Sequence, residues 1–191
     1  MIDHIIDMQY LWIIIFFGIA LVCFIYFSFR IFFFKKKGFE KEIESISYNK
    51  IKDFVIEDFE GGEILIDYLF LTSKGFLIIE IKDIKGNVFG GNNLHDWTVL
   101  TENRRYTFSN PQAALRERIM AVQQIVNQVP VYGRLLFPKE ALFTKGVPDL
   151  VTNLNDLISD FQESNENIAN FKIKSFMPYW DLVAKKAILN K

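Results

Sequence analysis

Cysteine is nearly absent: Cys23 is the single one in 191 residues. A disulfide framework is thereby excluded, and so are a cysteine metal site and thiol redox chemistry in the rest of the chain. Positive charge is missing in two places. No Lys or Arg precedes Arg30, and from residue 38 onward 18 Lys and Arg stand against 21 Asp and Glu. The second balance counts against avid nonspecific nucleic-acid binding, which depends on phosphate neutralisation, though a local basic patch stays open. Internal repeats and low-complexity segments are lacking too.

What the sequence does hold begins with LWIIIFFGIALVCFIYFSF at 11–29, a run without charge in which Ser28 is the polar exception. At about 1.5 Å per residue these 19 positions suffice to cross a hydrocarbon core of roughly 30 Å. Asp3 and Asp7 precede the run, which is also longer than the apolar region of a signal peptide, so an uncleaved anchor is expected. Arg30 and Lys35 to Lys37 follow it, and this bias puts the N-terminus outside and the C-terminal domain in the cytoplasm. Tyr10, Trp12 and Tyr26 suit the bilayer interfaces. The expectation is a single-pass protein of the cell (plasma or inner) membrane. Residues 1–37 form the anchor, with a span of about 11–34, and 38–191 form one domain of ordinary size.

Within 38–191 the pattern predicts a short charged helix at 38–46, then strands at 51–58, 64–71, 76–82 and about 86–90. A hairpin follows at 97–100 and 105–108. Ser109 or Asn110 caps a long helix that starts at Pro111 and runs to about Gln128, with Leu115, Ile119, Val122 and Ile125 inward. A strand at 131–137, a helix at 150–161 and a last helix from Pro178 to about Leu189 complete the order; the segment near Ser164 reads as a polar loop. Strands mixed with helices in this order make an α/β or α+β fold around a central sheet.

Asp67, Glu80 and Lys82 stand inside the strand-like apolar runs of ILIDYLFLTSKGFLIIEIKDIKGNVFGG at 64–91. A tight turn at Ser73-Lys74 pairs Thr72 with Gly75 and sets Asp67 opposite Glu80, with Cβ atoms about 4.5–5.5 Å apart. Lys82, two residues beyond Glu80, shares their face. Two opposed carboxylates repel unless a cation lies between them. A hard divalent ion, Mg²⁺ or Mn²⁺, takes such oxygens and keeps positions for water and phosphate, while a neighbouring lysine serves the attacking water or the developing charge. The alternative is a half-exposed strand with an ordinary Asp67–Lys82 salt bridge. Apolar flanks on both faces count against it, because buried central strands rarely carry charge without a reason.

This run, followed by Trp97 and by SNPQ at 109–112, resembles the NERD (nuclease-related) domain over roughly Gly38 to Leu157. That family is similar to the PD-(D/E)xK, restriction-endonuclease-like superfamily. The resemblance implies a central mixed sheet flanked by helices, behind the transmembrane helix, and a metal-dependent nuclease acting on DNA or RNA. Carried over, Asp67 and Glu80 match the metal positions, Lys82 the catalytic lysine, and Glu40 a glutamate of the first helix, with Glu42 as its register alternative. Ala114 stands where the family commonly carries Gln, two positions after Gln112.

Other features carry less. His95 reads as a loop residue or a catalytic histidine, and Gly86, Gly90 and Gly91 as a turn or bulge rather than a phosphate cradle. Arg104, Arg105, Arg116 and Arg118 contact phosphates or are simply solvated. The last helix rests on the membrane through Tyr179, Trp180 and Leu182, or packs on the sheet. The expected partners are nucleic acid and the lipid bilayer, with a homo-oligomer or protein partner left open. A catalytically silent, membrane-tethered binding module is the alternative to the enzyme.

Overall fold

The computed structural model describes residues 16, 18–24, 26, 40–57 and 61–189. They fall in two compact units, 1–42 and 43–191. In the first, Phe16, residues 18–24 and Tyr26 are helical and exposed. Most of the expected span at 11–34 lies outside the described residues, and among the described residues no helix is long and apolar enough to cross a membrane.

The second unit is built on a six-stranded mixed sheet. Strands β1 (Ser47–Glu57), β2 (Glu63–Thr72), β3 (Gly75–Ile81), β7 (Val131–Leu136), β9 (Val151–Thr152) and β10 (Ile188–Leu189) lie in the order β10-β1-β2-β3-β7-β9. The pairings from β10 to β3 are antiparallel and those from β3 to β9 parallel. β2 and β3 are central because both of their faces are apolar. Leu69, Leu71, Phe76 and Ile78 are buried on one face, and Tyr68, Phe70, Leu77 and Ile79 on the other.

Helices cover both faces. α1 (Pro111–Ile125) lies over the Ile78 face of the sheet, close against Gly133 of β7. A Cβ at Gly133 would come to 2.5 Å from Ile119 Cδ1, so a larger residue would force the Ile119 side chain or the helix to shift. α3 (Glu166–Lys186) joins it on that face, with Trp180 edge-on to Phe76 at 5.5 Å. α2 (Leu154–Phe161) covers the other face, where Phe161 meets Tyr132 at 5.5 Å.

Three expectations need correction. The strands at β4 (Gly86–Phe89), β5 (Asp96–Leu100) and β6 (Arg105–Ser109) do not extend the main sheet but form a second sheet, β6-β5-β4-β8, with β8 (Ala141–Leu142) parallel to β4. The last helix begins at Glu166, not Pro178, because Asn165 caps it by accepting from the backbone N–H of Asn167 and Ile168. Trp180 is buried against the sheet, which removes it from a membrane-facing role.

Candidate active site

The β2–β3 hairpin fixes the site. Thr72 pairs with Gly75 across Ser73-Lys74, and the register runs unbroken to Tyr68 opposite Ile79. The Thr72 hydroxyl donates to the Gly75 carbonyl at 2.8 Å and accepts from the Lys74 N–H at 3.2 Å. Gly75 has φ of +133°, a conformation that side chains rarely adopt, and its backbone approaches the Pro130 carbonyl. The paired register ends at Tyr68 opposite Ile79, one residue short of Asp67 on β2 and of Glu80 on β3. Glu80 lies on the Ile78 face covered by α1, where it meets Arg118.

Glu80 is gripped by two cations. Its Oε1 takes the Lys82 ammonium, and its Oε2 lies 3.5 Å from Nη1 of Arg118. Only 13% of the Glu80 side chain is exposed, against 26% for Lys82 and 22% for Arg118, so the cluster is partly shielded. Arg118 also donates through Nε to the Leu65 carbonyl at 2.7 Å and so ties α1 to β2 two residues before Asp67. The Lys82 contact goes to Glu80, its neighbour two residues earlier in the chain. Arg118 is the residue that the sequence singled out only as one of four arginines facing phosphate or solvent. Its spacing from Leu115 and Ile119 hinted at a boundary position on α1, but nothing in the chain alone joined it to Glu80.

Glu40 and Glu42 fall in the 1–42 unit and are described apart from this site. Among the described residues, no group of three or more His, Cys, Asp and Glu forms a metal-holding set. The donors at Asp67 and Glu80 are two hard oxygens on adjacent strands. That suits Mg²⁺ or Mn²⁺, which keeps several waters and binds through one or two carboxylates, and it does not suit an ion needing a full protein cage.

The remaining motif residues build the scaffold that aims α1. Trp97 is fully buried, its ring packed against Phe108, Phe143 and Phe137 and its N–H donating to the Gly91 carbonyl at 3.1 Å. A Cβ on Gly90 would lie 2.7 Å from that ring. Asn110 caps α1 by accepting from the Gln112 N–H at 3.0 Å, and its amide donates to the carbonyls of Gly91, Asn92 and Leu94. The second sheet is thereby pinned to the start of the helix that carries Arg118. Gly86, Gly90 and Gly91 thus serve turns and close packing. His95 lies in the β4–β5 loop with its side chain 91% exposed, 3.2 Å from Asp96. Arg104 sits over the Tyr106 ring at 5.0 Å.

Gln112 is buried, with its Oε1 accepting from the Leu150 N–H at 3.2 Å, so it is used inside the fold. Ala114 is exposed one helical turn before Arg118 and on the same side of α1. Beyond the ends of β7 and β9 a cleft of about 600 Å³ is lined by Phe137, Lys139, Phe143, Val147, Thr152 and Asn155. None of Asp67, Glu80, Lys82 and Arg118 lines it.

No curated protein and no solved structure matches the chain significantly. The family model of the nuclease-related domain matches residues 32–138, which hold β1 to β7 and α1. That is more than half of the sequence, and the chain belongs to the nuclease-related domain family.

Proposed function

We propose that the chain is a membrane-anchored nuclease that hydrolyses phosphodiester bonds of DNA or RNA with a divalent metal ion, Mg²⁺ or Mn²⁺. The observation that carries the reading is the Glu80 carboxylate held by Lys82 and Arg118, on the strand beside the one that carries Asp67, inside the segment matched to the nuclease-related family. Asp67 and Glu80 would hold the ion, which would supply Lewis-acid polarisation of the phosphate and a more acidic water. Lys82 would orient water or neutralise charge on the phosphate, and Arg118 would add a second cation beside it.

Anchoring is supported by the apolar run at 11–29 and by the exposure of its helical residues Phe16, Ile19, Leu21, Val22, Phe24 and Tyr26. The basic residues after it favour a cytoplasmic domain. The test is a cleavage assay on single- and double-stranded DNA and RNA with Mg²⁺ or Mn²⁺, comparing the chain with Asp67→Asn and Lys82→Met. Metal-dependent cleavage lost in both variants supports the proposal; cleavage that survives both rules the site out.

One observation favours a second reading, a catalytically silent binding module tethered to the bilayer. Both Glu80 oxygens are already engaged by cations, and the exposed Ala114 offers no amide beside Arg118. Nucleic-acid binding indifferent to divalent metal, with no cleavage, would select it.

A further inference from the structure

We propose that Arg118 is a clamp on Glu80 that nucleic-acid phosphate releases, so that metal binding and nucleic-acid binding at this site strengthen each other. The inference rests on the metal-dependent reading above. The two cations on Glu80 are held differently. Lys82 follows Glu80 on the same strand and moves with it. Arg118 comes from α1, and its two contacts are unequal: Nε to the Leu65 carbonyl is 2.7 Å, whereas Nη1 to Glu80 is 3.5 Å, at the outer limit of a hydrogen bond. The Glu80 contact is the one that yields first.

A divalent ion between Asp67 and Glu80 and the Arg118 guanidinium draw on the same carboxylate. A phosphodiester oxygen arriving beside the ion changes the balance. A guanidinium matches phosphate with two parallel N–H donors, a better partner than the single long contact it has here. Swinging to the phosphate frees Oε2 of Glu80 for the metal. Pivoting about the Leu65 carbonyl lets this happen without moving α1, whose position is fixed by Gly133 and the Asn110 cap. Metal and phosphate therefore favour the same released state of Arg118, and each must tighten the other by the same factor.

The experiment is calorimetric titration of Mn²⁺ into the full-length chain, alone and with a short cleavage-resistant phosphorothioate DNA strand. The wild type, Arg118→Met, Arg118→Lys and Asp67→Asn are compared. In the wild type the DNA strand tightens Mn²⁺ binding by about fivefold or more, within the usual range of coupling between sites. Arg118→Met binds Mn²⁺ alone about three- to tenfold tighter than the wild type and shows less than about a twofold effect of DNA, while Arg118→Lys recovers part of the coupling. Equal Mn²⁺ affinity and equal DNA effect in the wild type and both Arg118 variants overturn the clamp, as does weaker Mn²⁺ binding in Arg118→Met. Should Arg118→Met fail to fold, undiminished coupling in Arg118→Lys overturns it as well. If Asp67→Asn removes Mn²⁺ binding while the Arg118 variants are silent, the clamp alone fails. An Mn²⁺ isotherm unaffected by Asp67→Asn overturns both the clamp and the metal reading.

Discussion

Replacing Gly133 by Ala tests how α1 is held over the site. The added Cβ would lie 2.5 Å from Ile119 Cδ1, 2.9 Å from Ile119 Cγ1 and 3.0 Å from Leu115 Cδ1, all side-chain atoms of a helix anchored at its start by Asn110. Forcing a methyl into a filled space of this kind costs about 1–3 kcal/mol. Reducing the freedom of the unfolded chain returns about 0.4–1 kcal/mol. The net expectation is a loss of about 1–2 kcal/mol, read as a fall of roughly 3–6 °C in Tm for a chain of this size. Urea unfolding followed by tryptophan fluorescence measures it, since Trp97 and Trp180 are both buried. Because Arg118 neighbours Ile119 on α1, the same variant should loosen its contact with Glu80. Adding Ile119→Val removes the nearest clashing atom, Cδ1, and should recover half or more of the loss. A neutral Gly133→Ala, or a second substitution that rescues nothing, would refute the close approach.

Asn110→Ala removes the cap of α1 and the amide that gathers three carbonyls, which lowers stability by about 2 kcal/mol; Asn110→Asp keeps the cap alone and falls between, as thermal unfolding will show. Asp53 has φ of +47°, alone among the described non-glycine residues, in β1 between the pairs Lys52–Tyr68 and Phe54–Ile66. Asp53→Gly should therefore be about 1 kcal/mol more stable than Asp53→Ala in urea. Glu163 is held below the ordinary carboxylate value, first by its hydrogen bond from Lys172, which outweighs the opposing effect of burial, and then by that ammonium's charge. The stability from this pair is present above the ordinary carboxylate pKa and is lost as pH falls through the lowered folded value. An NMR titration of the Glu163 carboxyl should show that value rise in Lys172→Met.

The hairpin was legible because everything that sets it is local. A two-residue turn between apolar strands fixes the register from Thr72–Gly75 to Tyr68–Ile79, the pairs that lead up to Asp67 and Glu80. The Trp97, Asn110 and Pro111 landmarks were readable too, but as signs of resemblance; their work in pinning the second sheet to α1 emerges only from the packing. Strand periodicity predicted segments at 86–90, 97–100 and 105–108 without saying which sheet they join, because β4 finds its outer partner in Ala141 and Leu142, more than 50 residues on. The start of α3 was signalled by Asn165 followed by Glu166, a cap and an acidic first turn, but the polar stretch and the preference of Pro178 for a first helical position pointed the other way. Arg118 could not be joined to Glu80 from sequence, since the contact depends on how closely α1 approaches Gly133.

Mn²⁺ binding by Asp67→Asn and Glu80→Gln, beside the wild type, bears most directly on the claim that these two carboxylates share an ion. Electron paramagnetic resonance of free Mn²⁺ should show one bound ion per wild-type chain and little or no binding in either variant, with both variants folded. Wild-type occupancy retained in both would contradict it.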